Sequence, residues 1–209
     1  MLSTRPDFDI ERQLLASGAR RVVGVDEVGR GPLAGPVTAA AVWLDPAALP
    51  KGLQDSKRMS RQARVAAFQE IMACADVGIG HASPAEIDAL NILQSSLLAM
   101  QRAIAALRLP PDHLLIDGNR LPRELPCKAQ ALVKGDSRAL SIAAASIIAK
   151  VTRDKIMTDL ARRYPGYGWE RNAGYPTRCH KNAIADFGLT PEHRRSFKPI
   201  RNMLSGEIT

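Results

Sequence analysis

The stretch from Val22 to Leu44, VVGVDEVGRGPLAGPVTAAAVWL, constrains the fold more than any other part of the chain. Two apolar runs of strand length, residues 22–26 and 37–44, are joined by a segment rich in glycine and proline. That link is too short to hold the crossover helix that a parallel pair requires, so the two runs are predicted to be antiparallel neighbours. The first run closes on two adjacent acids, Asp26 and Glu27, and a single cation, Arg30, follows between Gly29 and Gly31.

Three further runs read as strands: DVGIGHA (76–82), HLLID (113–117) and AQALV (129–133). Helices are predicted over 60–73, where Ser60 can cap the first turn, over 91–107 and over 139–163. In the second of these, Leu93, Leu97, Met100, Ile104 and Leu107 recur with the spacing of one helical face, and the pattern stops before Pro110 and Pro111. The third is rich in Ala and Ser in its first half, which predicts close packing on a sheet. After Arg163 the texture changes to dense Pro, Gly, aromatic and basic residues. The organisation expected is an α/β domain over 1–163 and a small basic region of helices and loops over 164–209.

The charge is +8, from 29 Lys and Arg against 21 Asp and Glu, and residues 161–209 alone hold nine basic and four acidic side chains. A basic surface favours polyanions, nucleic acid foremost. The N-terminus has no apolar signal core and no run reaches the length of a membrane span, so a cytoplasmic protein is expected. The three cysteines, Cys74, Cys127 and Cys179, are far apart and form no CxxC pair. Cys179 and His180 are neighbours, but no second ligand pair stands at the spacing of a zinc site.

The acids fall where strands end. Asp26 and Glu27 close the first strand, Asp117 closes the fourth, and Asp136 follows the fifth. Sites in open α/β sheets collect at such ends. Asp117-Gly118 or Gly135-Asp136 alone would be ordinary turn chemistry; three strand-end matches in one chain point to a site. Four converging carboxylates repel, and one would take a proton at neutral pH unless a cation stood among them. Ligands that are all oxygen select a hard ion, Mg²⁺ or Mn²⁺. A protein that only binds duplexes would gain nothing from carboxylates beside its basic surface, since they repel phosphates.

GVDEVGRGPLAGPV resembles the signature of ribonuclease HII, the bacterial and archaeal type 2 ribonuclease H. The resemblance continues through LQDSKRMS, LLIDGNR, KGDSRALSIAAASIIAKVTRD, NAGYPTRCH and HRRSFKPI, from about Val22 to Ile200 and in the family's order. It implies the ribonuclease H fold, a five-stranded mixed sheet flanked by helices with a small C-terminal helical part. It implies that Asp26, Glu27, Asp117 and Asp136 are catalytic and hold divalent metal, Mn²⁺ or Mg²⁺, in a two-metal arrangement with ions about 4 Å apart. The implied reaction is hydrolysis of the RNA strand of RNA/DNA hybrids, and cleavage 5′ to single ribonucleotides embedded in duplex DNA, leaving 5′-phosphate and 3′-OH ends.

The same resemblance assigns Gly29, Arg30 and Gly31 to reading the 2′-OH, a task for backbone groups that come close to the sugar. It assigns Tyr175 to the RNA–DNA junction. Lys57 and Lys134 are candidate phosphate ligands. The related ribonuclease HIII typically carries Gly-Thr-Gly where Arg30 stands and has a substantial N-terminal extension, so type 2 is the reading adopted. The expected partners are the RNA/DNA hybrid and ribonucleotide-containing duplex DNA. No membrane or protein partner is indicated, a monomer is expected, and RNMLSGEIT lacks the paired aromatics of sliding-clamp peptides.

Overall fold

The computed structural model describes residues 5–53, 56 and 59–205. In chain order the elements are α1 (Asp9–Ala16), β1 (Val22–Val28), β2 (Val37–Trp43), α2 (Arg61–Cys74), β3 (Asp76–Ala82), α3 (Pro84–Leu90) and α4 (Ile92–Ala105). Then follow β4 (His113–Asp117), β5 (Lys128–Leu132), a 3-10 turn (Gly135–Ser137), α5 (Leu140–Arg163), α6 (Trp169–Asn172), α7 (Arg178–Phe187) and α8 (Lys198–Ser205). Among the described residues no helix is long and apolar enough to cross a membrane.

The five strands form one mixed sheet in the order β3-β2-β1-β4-β5. β1 is central; it pairs antiparallel with β2 and parallel with β4, while β2–β3 is antiparallel and β4–β5 parallel. The predicted antiparallel pair is therefore present. β1 runs two residues beyond the predicted apolar stretch because Asp26, Glu27 and Val28 stay in register with Ala40, Ala39 and Thr38. The two acids thus lie within the strand. α1 and α3 were not anticipated from periodicity. For α3 the signal is a capping box, in which Ser83 and Glu86 satisfy each other's backbone amides, with Pro84 opening the helix.

Strand alternation divides the core between the two faces. Val23 and Val25 of β1, with Ala39 and Ala41 of β2, pack on Ala99, Met100 and Ala103 of α4. Ala40 and Val42 face the other way, onto Ala144, Ala145 and Ile148 of α5 and Ala67 and Ile71 of α2. The small residues of α5 have the predicted consequence. A Cβ on Gly24 would sit 2.2 Å from the backbone carbon of Ser141, so helix and strand touch backbone to backbone there.

The chain after Arg163 packs on the sheet domain through a third cluster. Tyr167, Trp169, Ala183, Ile184 and Ile200 close over Leu33 and Ala34 of the β1–β2 link and Met157 of α5. Trp169 is fully buried. At about 1.5–3 kcal/mol for each large apolar side chain removed from water, this cluster ties the basic segment firmly to the loop that follows the two acids.

Candidate active site at the end of the central strand

Asp26 and Glu27 are sequence neighbours on a pleated strand, so their side chains leave opposite faces of the sheet. Asp26 lies on the α5 side, where it accepts from the Ser146 hydroxyl and from the Glu27 amide at 2.7 Å. Ser146 in turn has its hydroxyl 2.8 Å from that of Ser56. Glu27 lies on the α4 side, in a cleft with Ser96, Met100, Asp117 and Arg30. Its Oε1 accepts from Arg30 Nη1 at 3.2 Å, while its Oε2 is buried with no hydrogen-bond partner among the described residues.

Asp117 ends β4 beside β1, and its Oδ1 accepts from the Gly135 amide at 2.6 Å. That bond fixes the 3-10 turn carrying Asp136, which is itself buried. The electrostatics link Asp26, Glu27 and Asp117. Burial, then the charges of Glu27 and Asp117, hold the Asp26 carboxyl well above the usual carboxylate range. Burial raises Glu27 as well, partly opposed by Arg30. Among the described residues no three acid, histidine or cysteine side chains already close around a common point. The donor set nonetheless suits a hard divalent cation: it is all oxygen, partly unpartnered, and burdened with mutual repulsion that positive charge would relieve.

Gly29, Arg30 and Gly31 follow directly, and two buried arginines hold this loop. Arg194 donates from Nη2 to the Gly29 carbonyl at 2.6 Å, from Nη1 to Arg30 at 3.2 Å and from Nε to Gly35 at 3.0 Å. Arg153 of α5 donates to the carbonyls of Pro36, Ala34 and Ala173 at 2.9–3.0 Å. None of these bonds goes to a carboxylate. Burial lowers Arg194 to about 9 and Arg153 to about 10, so both are charged at neutral pH.

The consequence lies in the planarity of the trans peptide, whose N–H points opposite to its C=O. With the carbonyls of Gly29 and Arg30 turned in to Arg194, the amides of Arg30 and Gly31 turn out. Neither amide finds an acceptor among the described residues. Gly29 has φ +94°, and a Cβ there would lie 2.2 Å from Arg153 Nε. Only glycine fits.

Tyr175 stands over this loop, 45% exposed, with its ring 3.3 Å from where a Gly31 Cβ would be. Three successive carbonyls anchor it: Ala173 accepts from Arg153, Gly174 from the Leu33 amide at 2.7 Å, and Tyr175 from His180 Nδ1 at 2.9 Å. Neighbours fix the His180 tautomer. Its Nε2 accepts from Trp169 Nε1 at 3.0 Å and faces His193 Nε2 at 3.2 Å. His193 Nδ1 accepts from the Thr190 amide at 3.0 Å, which leaves the His193 proton on Nε2. Both imidazoles are neutral, and burial lowers both pKa values, that of His193 to about 4.

The structure therefore brings Asp26, Glu27, Asp117 and Asp136 to one end of the sheet, with Gly29, Arg30, Gly31 and Tyr175 alongside. Lys134 is exposed at the entrance to the turn that carries Asp136, with φ 56°. Lys57 lies outside the described residues. From the sequence, Arg153, Arg194 and His193 stand out only as members of the stretches KGDSRALSIAAASIIAKVTRD and HRRSFKPI, and His180 only as the neighbour of Cys179 in NAGYPTRCH.

A model of the family described as Ribonuclease HII matches residues 23–200. Among curated proteins, the Ribonuclease HII of Paracoccus denitrificans is 59% identical over 204 residues, covering 98% of this chain and 97% of that one. That of Ruegeria pomeroyi is 58% identical, covering 98% and 87%. Among solved structures, ribonuclease H2 from Pyrococcus horikoshii superposes with a TM-score of 0.75 at 26% identity, covering 90% of this chain and 98% of that one. The ribonuclease HII of Archaeoglobus fulgidus, solved in a complex with PCNA, gives 0.69 at 27%, covering 86% and 96%.

Proposed function

The chain belongs to the ribonuclease HII family and is a type 2 ribonuclease H, and from the site just described we propose how it acts. Its activity is endonucleolytic cleavage of RNA in RNA/DNA hybrids. The finer reading is that it also cuts 5′ to a single ribonucleotide in duplex DNA. Water adds to phosphorus, the P–O3′ bond breaks, the phosphate stays on the 5′ end and the departing 3′ oxygen takes a proton.

Asp26, Glu27, Asp117 and Asp136 are the residues that would hold Mg²⁺ or Mn²⁺. When bound, such ions supply Lewis acidity at the scissile phosphate, making the attacking water more acidic and offsetting charge on the departing oxygen. The chain's own contribution is orientation. The pleat of β1 presents Asp26 and Glu27 from two sides, and the Gly135 amide fixes Asp117 relative to Asp136. Arg194 holds the Arg30 and Gly31 amides outward, where they can donate to a 2′-OH. Tyr175, braced by His180, packs on the neighbouring sugar and tests for the DNA side of the junction. Lys57 and Lys134 are proposed phosphate ligands.

In this reading residues 1–163 carry the cutting acids and 164–209 carry the junction reader. The working form is a cytoplasmic monomer whose partner is the nucleic acid. The Archaeoglobus relative bound to PCNA makes a protein partner compatible with the family.

The observation that carries this reading is the position of the outward amides of residues 30 and 31, a few residues after the buried Asp26 and the partly buried Glu27, whose charges repel. The test uses three duplexes: an RNA/DNA hybrid, a DNA duplex with one ribonucleotide, and all-DNA. Each is incubated with Mg²⁺ and then with EDTA. Cleavage of the first two with Mg²⁺ alone is expected. Cleavage of all-DNA, or none of the hybrid, would overturn the reading.

A further inference from the structure

The cleft that holds Glu27 and Asp117 does not end at the acids. It has a volume of 290 Å³ and is bounded by α4 on one side and the β4–β5 loop, Gly118 to Arg120, on the other. Leu93, Leu97 and Arg120 also line a second cleft of 310 Å³, which continues along α4 to Gln94, Gln101 and Arg123. The two form one groove leading away from the acids.

The groove has a consistent chemistry. Leu93 and Leu97 supply an apolar floor, and Arg30, Arg120 and Arg123 supply cations along its course. Its wall is fixed, since Gln101 Nε2 donates to the Arg123 carbonyl at 2.6 Å and Pro122 is buried beneath the loop. Arg120 and Arg123 have no carboxylate partner among the described residues. The contrast is Arg102 of α4, which is bound to Glu86 at 2.6 Å and donates to the His81 carbonyl at 2.7 Å. Arg102 serves the fold; Arg120 and Arg123 have no such duty.

We infer that this groove is a binding subsite for the sugar–phosphate backbone of a nucleic-acid strand running on from the scissile bond, with Arg120 and Arg123 on successive phosphates and sugar faces over Leu93 and Leu97. Apolar floor and spaced cations match that backbone, where apolar sugar surface alternates with charge. Guanidinium groups carried on an anchored loop suit phosphate oxygens. The groove begins at the acids, so any strand cut there must leave past it or away from it. The inference rests on the nuclease reading above.

The test is a salt titration of hybrid binding in EDTA for wild type and for the double variant Arg120→Ala/Arg123→Ala. Loss of two phosphate contacts lowers the slope of log K against log salt by about 2. With Mg²⁺ the same variant should lose kcat/KM through a raised KM. Arg120→Lys/Arg123→Lys, which restores the charge, should return most of the slope. A second pair, Arg61→Ala/Lys155→Ala, lies in the α2–α5 cleft on the other face of the sheet and removes the same charge. An unchanged slope in the groove variant would overturn the subsite, as would an equal fall in the control pair. Wild type that fails to cut a hybrid would sink the nuclease reading itself, a separate result.

Discussion

Arg194 reaches across 165 positions of sequence to donate to the Gly29 carbonyl at 2.6 Å, and it is fully buried in doing so. Its two other bonds, to Arg30 and Gly35, go to backbone of the same loop. Replacing Arg194 by Met would strand three carbonyls, those of Gly29 and Gly35 buried and that of Arg30 partly so. Each buried unsatisfied acceptor costs about 1–3 kcal/mol, so with two of them a loss of at least ~2 kcal/mol is expected in urea unfolding. Arg194→Lys, which can reach only part of the set, should fall between. Wild-type stability in the Met variant would show that the loop holds itself.

The acids make a prediction of opposite sign. Burial and the charges of Glu27 and Asp117 disfavour the ionised form of Asp26. Asp26→Asn removes that charge while its amide oxygen can still accept from the Glu27 amide. Cleavage should be abolished, and the melting temperature in EDTA should rise. Asp136→Asn should also abolish cleavage. Near-normal turnover with Mg²⁺ in either variant would take that residue out of the catalytic set.

Substrate choice tests the contact between Tyr175 and Gly31. Tyr175→Ala removes the ring over the loop, and Gly31→Val drives branched carbons into it, since even a Cβ would be 3.3 Å away. Loss of an aromatic contact with nucleic acid costs on the order of 1–3 kcal/mol. At about 1.4 kcal/mol per decade, kcat/KM on a single-ribonucleotide duplex should fall roughly tenfold to hundredfold. A longer hybrid offers several 2′-OH groups and should be less affected by the Tyr175 change. Equal activity of Tyr175→Ala and wild type on the single-ribonucleotide duplex would remove the junction role.

The histidine pair beneath Tyr175 gives a pH signature. An unfolded histidine takes its proton near 6.5, whereas burial lowers folded His193 to about 4. The folded form therefore binds fewer protons than the unfolded one between these values. Its contribution to stability is complete above about pH 6.5 and is lost as pH falls toward 4. Urea unfolding at pH 7 and pH 4.5 should show this loss, and His193→Gln should lose less over the same interval. The same decrement in both proteins would place the acid sensitivity elsewhere.

Much of the architecture is local information, and the sequence alone carried it. The antiparallel pair followed from the length of the 29–36 link, α4 from the spacing of Leu93, Leu97, Met100 and Ile104, and the close seat of α5 on the sheet from its small residues. The acids and the Gly-Arg-Gly stretch were legible because their chemistry is unusual within a few residues of chain. The structure adds what depends on approach between distant positions. Asp26 and Glu27 are neighbours in sequence but leave opposite faces, a fact that appears only once β1 is known to continue through them. Arg153, Arg194 and His180 look like ordinary polar residues in one dimension. Their work is to satisfy carbonyls up to 165 positions away. A buried hydrogen bond depends on where two backbones meet, and that is set by packing of the whole core rather than by the residues on either side.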